Sequence, residues 1–129
     1  MHKYYGLLIE ERLSVYLILL KITPNLMGYD FFKQGAEKII QDGEKKFNVG
    51  VGLYNEIACD NGVKPDRVDR ALRHAIDVSY KRNGLCDFER AMHIRFSMGR
   101  PSPKELLCLL AEMVNREVGK KLIEKRYVK

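Results

Sequence analysis

The sequence predicts an all-α protein, a single domain of about six helices that contains a helix-turn-helix. Its 129 residues match the usual size of one domain. A content of 46% hydrophobic and 31% charged residues excludes intrinsic disorder as the default state. Apolar residues recur mostly every three or four positions, which is the period of a helix. We find no internal repeat and no linker, so we treat residues 1–129 as one unit.

Breaks in this pattern divide the chain into six predicted helices. The breaks contain Gly, Pro or Asn and lie at residues 23–24, 50–52, 62–65, 83–84 and 99–103. The predicted helices cover residues 6–22, 27–42, 51–60, 65–82, 86–97 and 103–125.

The first predicted helix carries an apolar set that is most simply core: Leu7, Leu8, Leu13, Tyr16, Leu17 and Leu20. Its length leaves a subunit contact open as an alternative. The apolar run from 13 to 20 is far shorter than the ~20 residues needed to cross a bilayer. We therefore expect no contact with a membrane.

Residues 47–53 are apolar at alternate positions, which is the pattern of a strand. Gly50 and Gly52 would each weaken a helix there by ~1 kcal/mol. A lone strand has no partner, however. We interpret this stretch as an irregular lead into the third helix.

The last helix has the clearest start signal. Ser102 is a suitable N-cap, Pro103 suits the first helical position, and Glu105 completes an S-x-x-E capping box. Helical spacing then predicts an inward stripe of Leu106, Leu110, Met113 or Val114, Glu117 or Val118, and Leu122.

Charge and cysteine content narrow the function classes. Twenty-three Lys and Arg against 17 Asp and Glu leave a net charge of +6, which favours a polyanionic partner. The three cysteines are widely spaced with no C-x-x-C motif, which argues against a disulfide framework or a zinc ribbon. We expect a cytoplasmic protein.

The most informative window, residues 54–82, has the pattern of a helix-turn-helix. In that motif two helices meet at a tight turn that often contains glycine. Gly62 lies at the predicted turn, and Pro65 suits the opening turn of the second helix. The packing positions are Ile57, the small Ala58, Val63 and Val68, and one further such position is the polar Asn61.

The second helix of the motif separates its side chains into two faces at 100° per residue. The inward face has Val68, Ala71, Leu72, Ala75, Ile76 and Ser79. The outward face has Arg67, Arg70, Arg73, His74, Asp77 and Lys81, with Asp66 and Asp69 at its edge. Arginines at this spacing fit the reading of guanine edges in a major groove. The alternative is a solvated face with the i,i+4 ion pairs Asp66–Arg70, Asp69–Arg73 and Asp77–Lys81.

A family resemblance favours the first interpretation. The strings GVKPDRVD and RALRHAIDVSYKRNG, which together span residues 62–84, resemble the C-terminal DNA-binding effector domain of the master sporulation response regulator, the stage-zero sporulation regulator A family. Further similar segments are GYDFF at 28–32, FSM at 96–98 and PSPKELLCLLAEMV at 101–114. The resemblance covers about residues 14–115, and residues 116–129 form a basic extension.

The resemblance implies sequence-specific duplex DNA binding by a transcriptional regulator. Arg67 corresponds to the arginine that reads a guanine edge. Asp69 stands where the family has a glutamate that accepts from cytosine, and its shorter side chain puts that contact in question. Arg70, Arg73 and His74 correspond to residues that add base and phosphate contacts.

The resemblance also implies a context for the domain. Proteins of the family carry a phosphorylated receiver domain ahead of this one. Only about a dozen residues precede the similar region here, so we expect no phosphoaspartate switch in this sequence. The implied partner is double-stranded DNA, bound at tandem sites by a chain that is a monomer or weak dimer when free. RNA polymerase sigma factor is a further option.

We expect no catalysis, no cofactor and no metal. His74, His93 and the cysteines match no standard zinc spacing, and we expect Cys59 on the inner side of its helix. The basic run 116–129 is either a solvated helix end or an additional phosphate contact. The alternative function is a protein-interaction module that sequesters a sporulation regulator or RNA polymerase.

Overall fold

The computed structural model describes residues 3–42, 51–96 and 99–127 of the chain. These ranges hold the helices α1 (Lys3–Leu19), α2 (Met27–Asp42), α3 (Val51–Asn61), α4 (Pro65–Lys81), α5 (Gly84–Met92) and α6 (Pro103–Tyr127). They contain no strand, and the predicted all-α fold with six helices is confirmed. Of the stretch 47–53, residues 47–50 lie outside the described residues, and the last three belong to α3.

Two helices end earlier than the apolar spacing predicts. α1 stops at Leu19 because Lys21 takes a left-handed backbone conformation with φ of 61°, and the N–H of Ile22 then donates to the Leu17 carbonyl at 2.9 Å. α5 stops at Met92 for the same reason, since His93 has φ of 56°. Left-handed residues are common helix ends, and Gly usually fills them. The predicted ends at 22 and 97 are therefore wrong.

The start of α6 agrees with its sequence signal. The N–H of Glu105 donates to Ser102 Oγ at 3.1 Å, which is the expected N-cap bond. The buried positions of its inward stripe are Leu106, Leu110, Val114 and Val118. The side chain of Leu122 lies outside the described residues.

α2 lies at the centre of the fold, packed against α4, α6, α1 and α3. Phe32 on this helix is fully buried. Gly28 lets α4 approach closely, because a Cβ atom there would lie 2.6 Å from the Ala71 carbonyl oxygen. Gly35 does the same toward α6, where a Cβ would lie 2.7 Å from the Leu107 side chain. Burial of these apolar surfaces is the main favourable contribution to folding.

α1 covers the core with one face only. Leu13 and Leu17 are fully buried and Tyr16 is nearly so, as the sequence predicts. Leu7 is 62% exposed, so its assignment to the core is wrong. Leu7 shares the outer surface of α1 with Ile18, which is 49% exposed. No helix in the described ranges is long and apolar enough to cross a membrane.

Candidate nucleic-acid interface

α3 and α4 are joined by a tight turn of three residues. Gly62 has φ of +65°, a conformation that glycine adopts without steric cost. The N–H of Val63 donates to the Ala58 carbonyl at 3.0 Å and closes the end of α3. Ile57, Ala58 and Val68 are buried between the helices. The predicted positions of the helix-turn-helix are therefore confirmed.

The polar residue at one packing position has its own explanation. Asn61 is exposed and forms two amide hydrogen bonds with Gln34 on α2, at 2.6 Å and 3.3 Å. Its Nδ2 also donates to the Ile57 carbonyl at 2.7 Å. Asn61 thus links the end of α3 to α2 by hydrogen bonds. Because these bonds lie at the surface, a polar side chain at this packing position does not destabilise the fold.

α4 begins where the sequence predicts. Lys64 is extended, with φ of −83° and ψ of 149°, and Pro65 follows in the first turn. Proline suits this place because its fixed φ is helical and its missing N–H has no partner to lose. The buried residues of the helix are Val68, Leu72, Ala75, Ile76 and Ser79, and Ala71 is partly buried. The predicted inward face is confirmed.

The sequence-predicted site residues lie together on the outer side of α4. Arg67, Arg70, Arg73 and His74 are exposed, whereas Asp69 is half-buried. Arg73 Nε donates to Asp69 Oδ2 at 2.9 Å. The Asp69 carboxylate is therefore already occupied by a cation on its own helix.

Of the three predicted ion pairs within α4, only Asp69–Arg73 forms. Asp77 is paired with Arg100 Nη1 at 2.7 Å and not with Lys81. The other basic side chains of the outward face make no ion pair with any described side chain: Arg67, Arg70, His74 and Lys81. Most of the outward face of α4 is thus available to an anionic partner. This argues against the alternative of a solvated face covered by i,i+4 ion pairs.

Tyr54 of α3 lies in the electrostatic field of the same ion pair. Partial burial, and secondarily the negative charge of Asp69, raise the pKa of Tyr54 to about 12, while Arg73 opposes the shift. The phenol remains a neutral hydrogen-bonding group at physiological pH. Tyr54 is the first residue of the 54–82 window, and the sequence pattern indicates no further role for it.

The C-terminal end of α4 is anchored to the end of α1. Ser79 Oγ donates to the Leu20 carbonyl at 2.6 Å in the core. Arg82 Nη1 donates to the Lys21 carbonyl at 3.0 Å, and Lys21 Nζ donates back to the Arg82 carbonyl at 2.8 Å. A Cβ atom on Gly84 would lie 2.0 Å from the Leu20 carbonyl oxygen. These contacts fix the direction of α4 relative to the rest of the domain.

In the described part of the chain, the cysteines and histidines belong to no cluster of three or more side chains that could hold a metal ion. Cys59 is exposed, so the expectation that it faces inward is wrong. Cys86 is also exposed and lies 3.7 Å from Arg90 Nη2. His93 is the left-handed residue that ends α5.

An outward-facing helix with exposed arginines near its N-terminal end, preceded by a glycine turn and a packed partner helix, is the arrangement of a helix-turn-helix domain. Comparison with known families gives the same class. Residues 15–114 match the model of the family described as sporulation initiation factor Spo0A C terminal. The chain therefore belongs to this family, which comprises DNA-binding effector domains of sporulation regulators and is not a family of enzymes.

Proposed function

We propose that this protein is a sequence-specific transcriptional regulator that inserts α4 into the major groove of duplex DNA. The observation that carries the proposal is a group of basic side chains that make no ion pair among the described residues, on a helix whose C-terminal end is fixed to the core. Arg67 and Arg70 lie within the first two turns of α4, and His74 follows in the third turn. In helix-turn-helix proteins, residues near the start of the recognition helix contact base edges.

Each site residue has a proposed role. Arg67 donates two hydrogen bonds to guanine O6 and N7. Arg70, Arg73 and His74 supply further base and phosphate contacts. Asp69 accepts from the amino group of cytosine, and its pairing with Arg73 competes with that contact and weakens discrimination at that base pair.

The free protein is proposed to be a monomer or weak dimer in the cytoplasm that pairs on tandem sites. Two weak modules on adjacent boxes gain from a high effective concentration. Contact with RNA polymerase sigma factor would link bound DNA to transcription. We propose no catalytic activity and no cofactor.

The beginning of the basic extension favours a solvated helix end over a DNA contact. Arg116 Nη2 is paired with Glu112 at 2.6 Å. Glu117 receives two hydrogen bonds from Arg12 of α1, at 2.6 Å and 3.2 Å. Both side chains already have partners within the domain.

A titration of labelled duplexes tests the function. A duplex with two tandem family-type boxes, the same duplex scrambled, and a single box are compared at salt concentrations from 50 to 200 mM. We expect tighter binding to the box than to the scrambled duplex, a linear fall of log K with log salt, and a steeper isotherm for the tandem box. Equal binding to box and scrambled duplexes would contradict sequence-specific recognition.

The alternative function, sequestration of a sporulation regulator or RNA polymerase, is favoured by one observation. Leu7 and Ile18 expose apolar surface on α1, and exposed apolar patches mark protein contacts when they are large. Sedimentation of the free chain and of the double substitution Leu7→Lys, Ile18→Lys examines this surface. A tight dimer or complex that disappears in the variant, together with no binding to any duplex, would replace the regulator by the interaction module.

A further inference from the structure

Arg100 lies outside the helix-turn-helix but contacts the C-terminal half of α4 at two points. Its Nη1 donates to Asp77 Oδ1 at 2.7 Å. Its guanidinium carbon lies 4.2 Å from the centroid of the Tyr80 ring. The Arg100 side chain remains 45% exposed. The guanidinium is therefore held in one place while part of it faces solvent.

The backbone around Arg100 restricts it further. Gly99 has φ of +76°, and its N–H donates to the Phe96 carbonyl at 3.2 Å. Pro101 is buried, and Ser102 caps α6. A side chain fixed by its backbone, by an aromatic ring and by a carboxylate loses little conformational entropy when it binds a ligand.

The place where Arg100 contacts α4 determines which part of the DNA it would meet. Asp77 follows Arg67 by ten residues, which is about 15 Å along a helix axis. The major groove is only about 12 Å wide. With Arg67 at the base edges, the Asp77 region therefore lies beside the phosphate backbone at the wall of the groove. A bare carboxylate there would repel phosphate, whereas the Asp77–Arg100 pair offers a cation.

We propose that Arg100 binds a DNA phosphate at the C-terminal end of α4, and that Asp77 and Tyr80 hold it in position for this contact. Asp77 uses one of the five N–H donors of the guanidinium, and the remaining donors suit a phosphate oxygen. Arg100 thus extends the binding surface beyond the helix-turn-helix. This inference rests on the proposed function.

The substitution Arg100→Gln removes the charge and keeps most of the length of the side chain. Arg116→Gln is the matched control, because Arg116 also pairs with an acid but lies on α6. Affinity for box and scrambled duplexes is measured from 50 to 200 mM salt, with thermal unfolding as the check on the fold. We expect Arg100→Gln to weaken both duplexes by a similar factor, roughly three- to tenfold, and to lower the salt slope by about 0.9. Arg116→Gln should change neither.

Repeating the Arg100→Gln substitution in an Asp77→Asn background separates a phosphate contact from simple neutralisation of Asp77. A direct contact predicts the same loss of slope in both backgrounds. A loss that vanishes with Asp77→Asn, or an Arg100→Gln variant equal to Arg116→Gln, would overturn the proposal. If Arg67→Ala lowers the affinity for duplexes and Arg100→Gln does not, this inference alone is wrong. If the wild-type chain binds no duplex, the proposed function is wrong as well.

Discussion

The two ends of α4 differ in what surrounds their side chains. At the N-terminal end, Arg67 and Arg70 are exposed and make no ion pair within the described residues. At the C-terminal end, Ser79 is fully buried and donates to the Leu20 carbonyl just beyond α1. Gly84, the first residue of α5, leaves no room for a Cβ atom against the same carbonyl.

The difference separates recognition from stability along one helix. Substitutions at the C-terminal end should change the free energy of unfolding, because they disturb buried contacts. Substitutions of the exposed Arg67 and Arg70 at the N-terminal end should change DNA affinity and leave the fold intact, because both side chains are solvated. A helix that is fixed at one end presents the other end without first having to be ordered.

The largest expected effect is at the anchored end. Gly84→Ala places a Cβ about 2.0 Å from the Leu20 carbonyl oxygen, and the backbone must move to relieve the clash. We expect a loss of about 3 kcal/mol in the free energy of unfolding, measured by urea denaturation. Gly6→Ala is the control, because nothing lies within 4 Å of its Cβ position, and it should stabilise α1 by up to about 1 kcal/mol. Equal behaviour of the two variants would refute the close approach.

Ser79→Ala tests the same junction without a clash. It removes the buried hydrogen bond to the Leu20 carbonyl and leaves that oxygen without this donor. The free energy of unfolding should fall by about 1–3 kcal/mol. Ser14→Ala, which removes an exposed side-chain bond to the Glu10 carbonyl, should cost no more than about 0.5 kcal/mol. A Ser79→Ala variant as stable as Ser14→Ala would show that the two helices are not joined there.

At the free end, Asp69→Glu adds the methylene that the family's residue has. The longer carboxylate should reach cytosine while it still pairs with Arg73, and discrimination at that base pair should rise by about 1 kcal/mol. Binding-site selection with the two proteins measures it. Identical selected motifs would remove the basis for the role of Asp69.

The last prediction concerns Tyr54, whose raised pKa of about 12 compares with about 10 in an unfolded chain. Between these pH values the unfolded state ionises and the native state does not, so Tyr54 contributes stability below pH 10 that is lost as pH rises. Tyr54→Phe should reduce this alkaline loss, measured by urea denaturation at several pH values from 9 to 12. An unchanged pH dependence would contradict the shift.

The sequence predicts the helices of this domain better than it predicts their ends and their long-range pairs. Apolar spacing identifies all six helices and the inward face of α4, because burial follows the helical period. It overruns α1 and α5, because Lys21 and His93 adopt left-handed conformations that residues other than glycine rarely signal.

The ion pairs of the candidate site were only partly predictable, because local spacing does not show which distant residues meet. Spacing within α4 correctly predicts Asp69–Arg73, which is a local pair. It also predicts Asp77–Lys81, but Asp77 pairs instead with Arg100, 23 residues along the chain. No local pattern indicates which of two cations a carboxylate will meet when the second cation, Arg100, lies far along the chain.

The most direct test of the central claim is binding-site selection from random duplexes with the wild-type chain and with Arg67→Ala. We expect the wild type to enrich a defined box. The variant, with unchanged stability, should lose preference at one base pair, at a cost of about 1–3 kcal/mol on the wild-type site. If the wild type enriches no sequence, or if both proteins select the same motif with equal affinity, the free end of α4 does not read DNA.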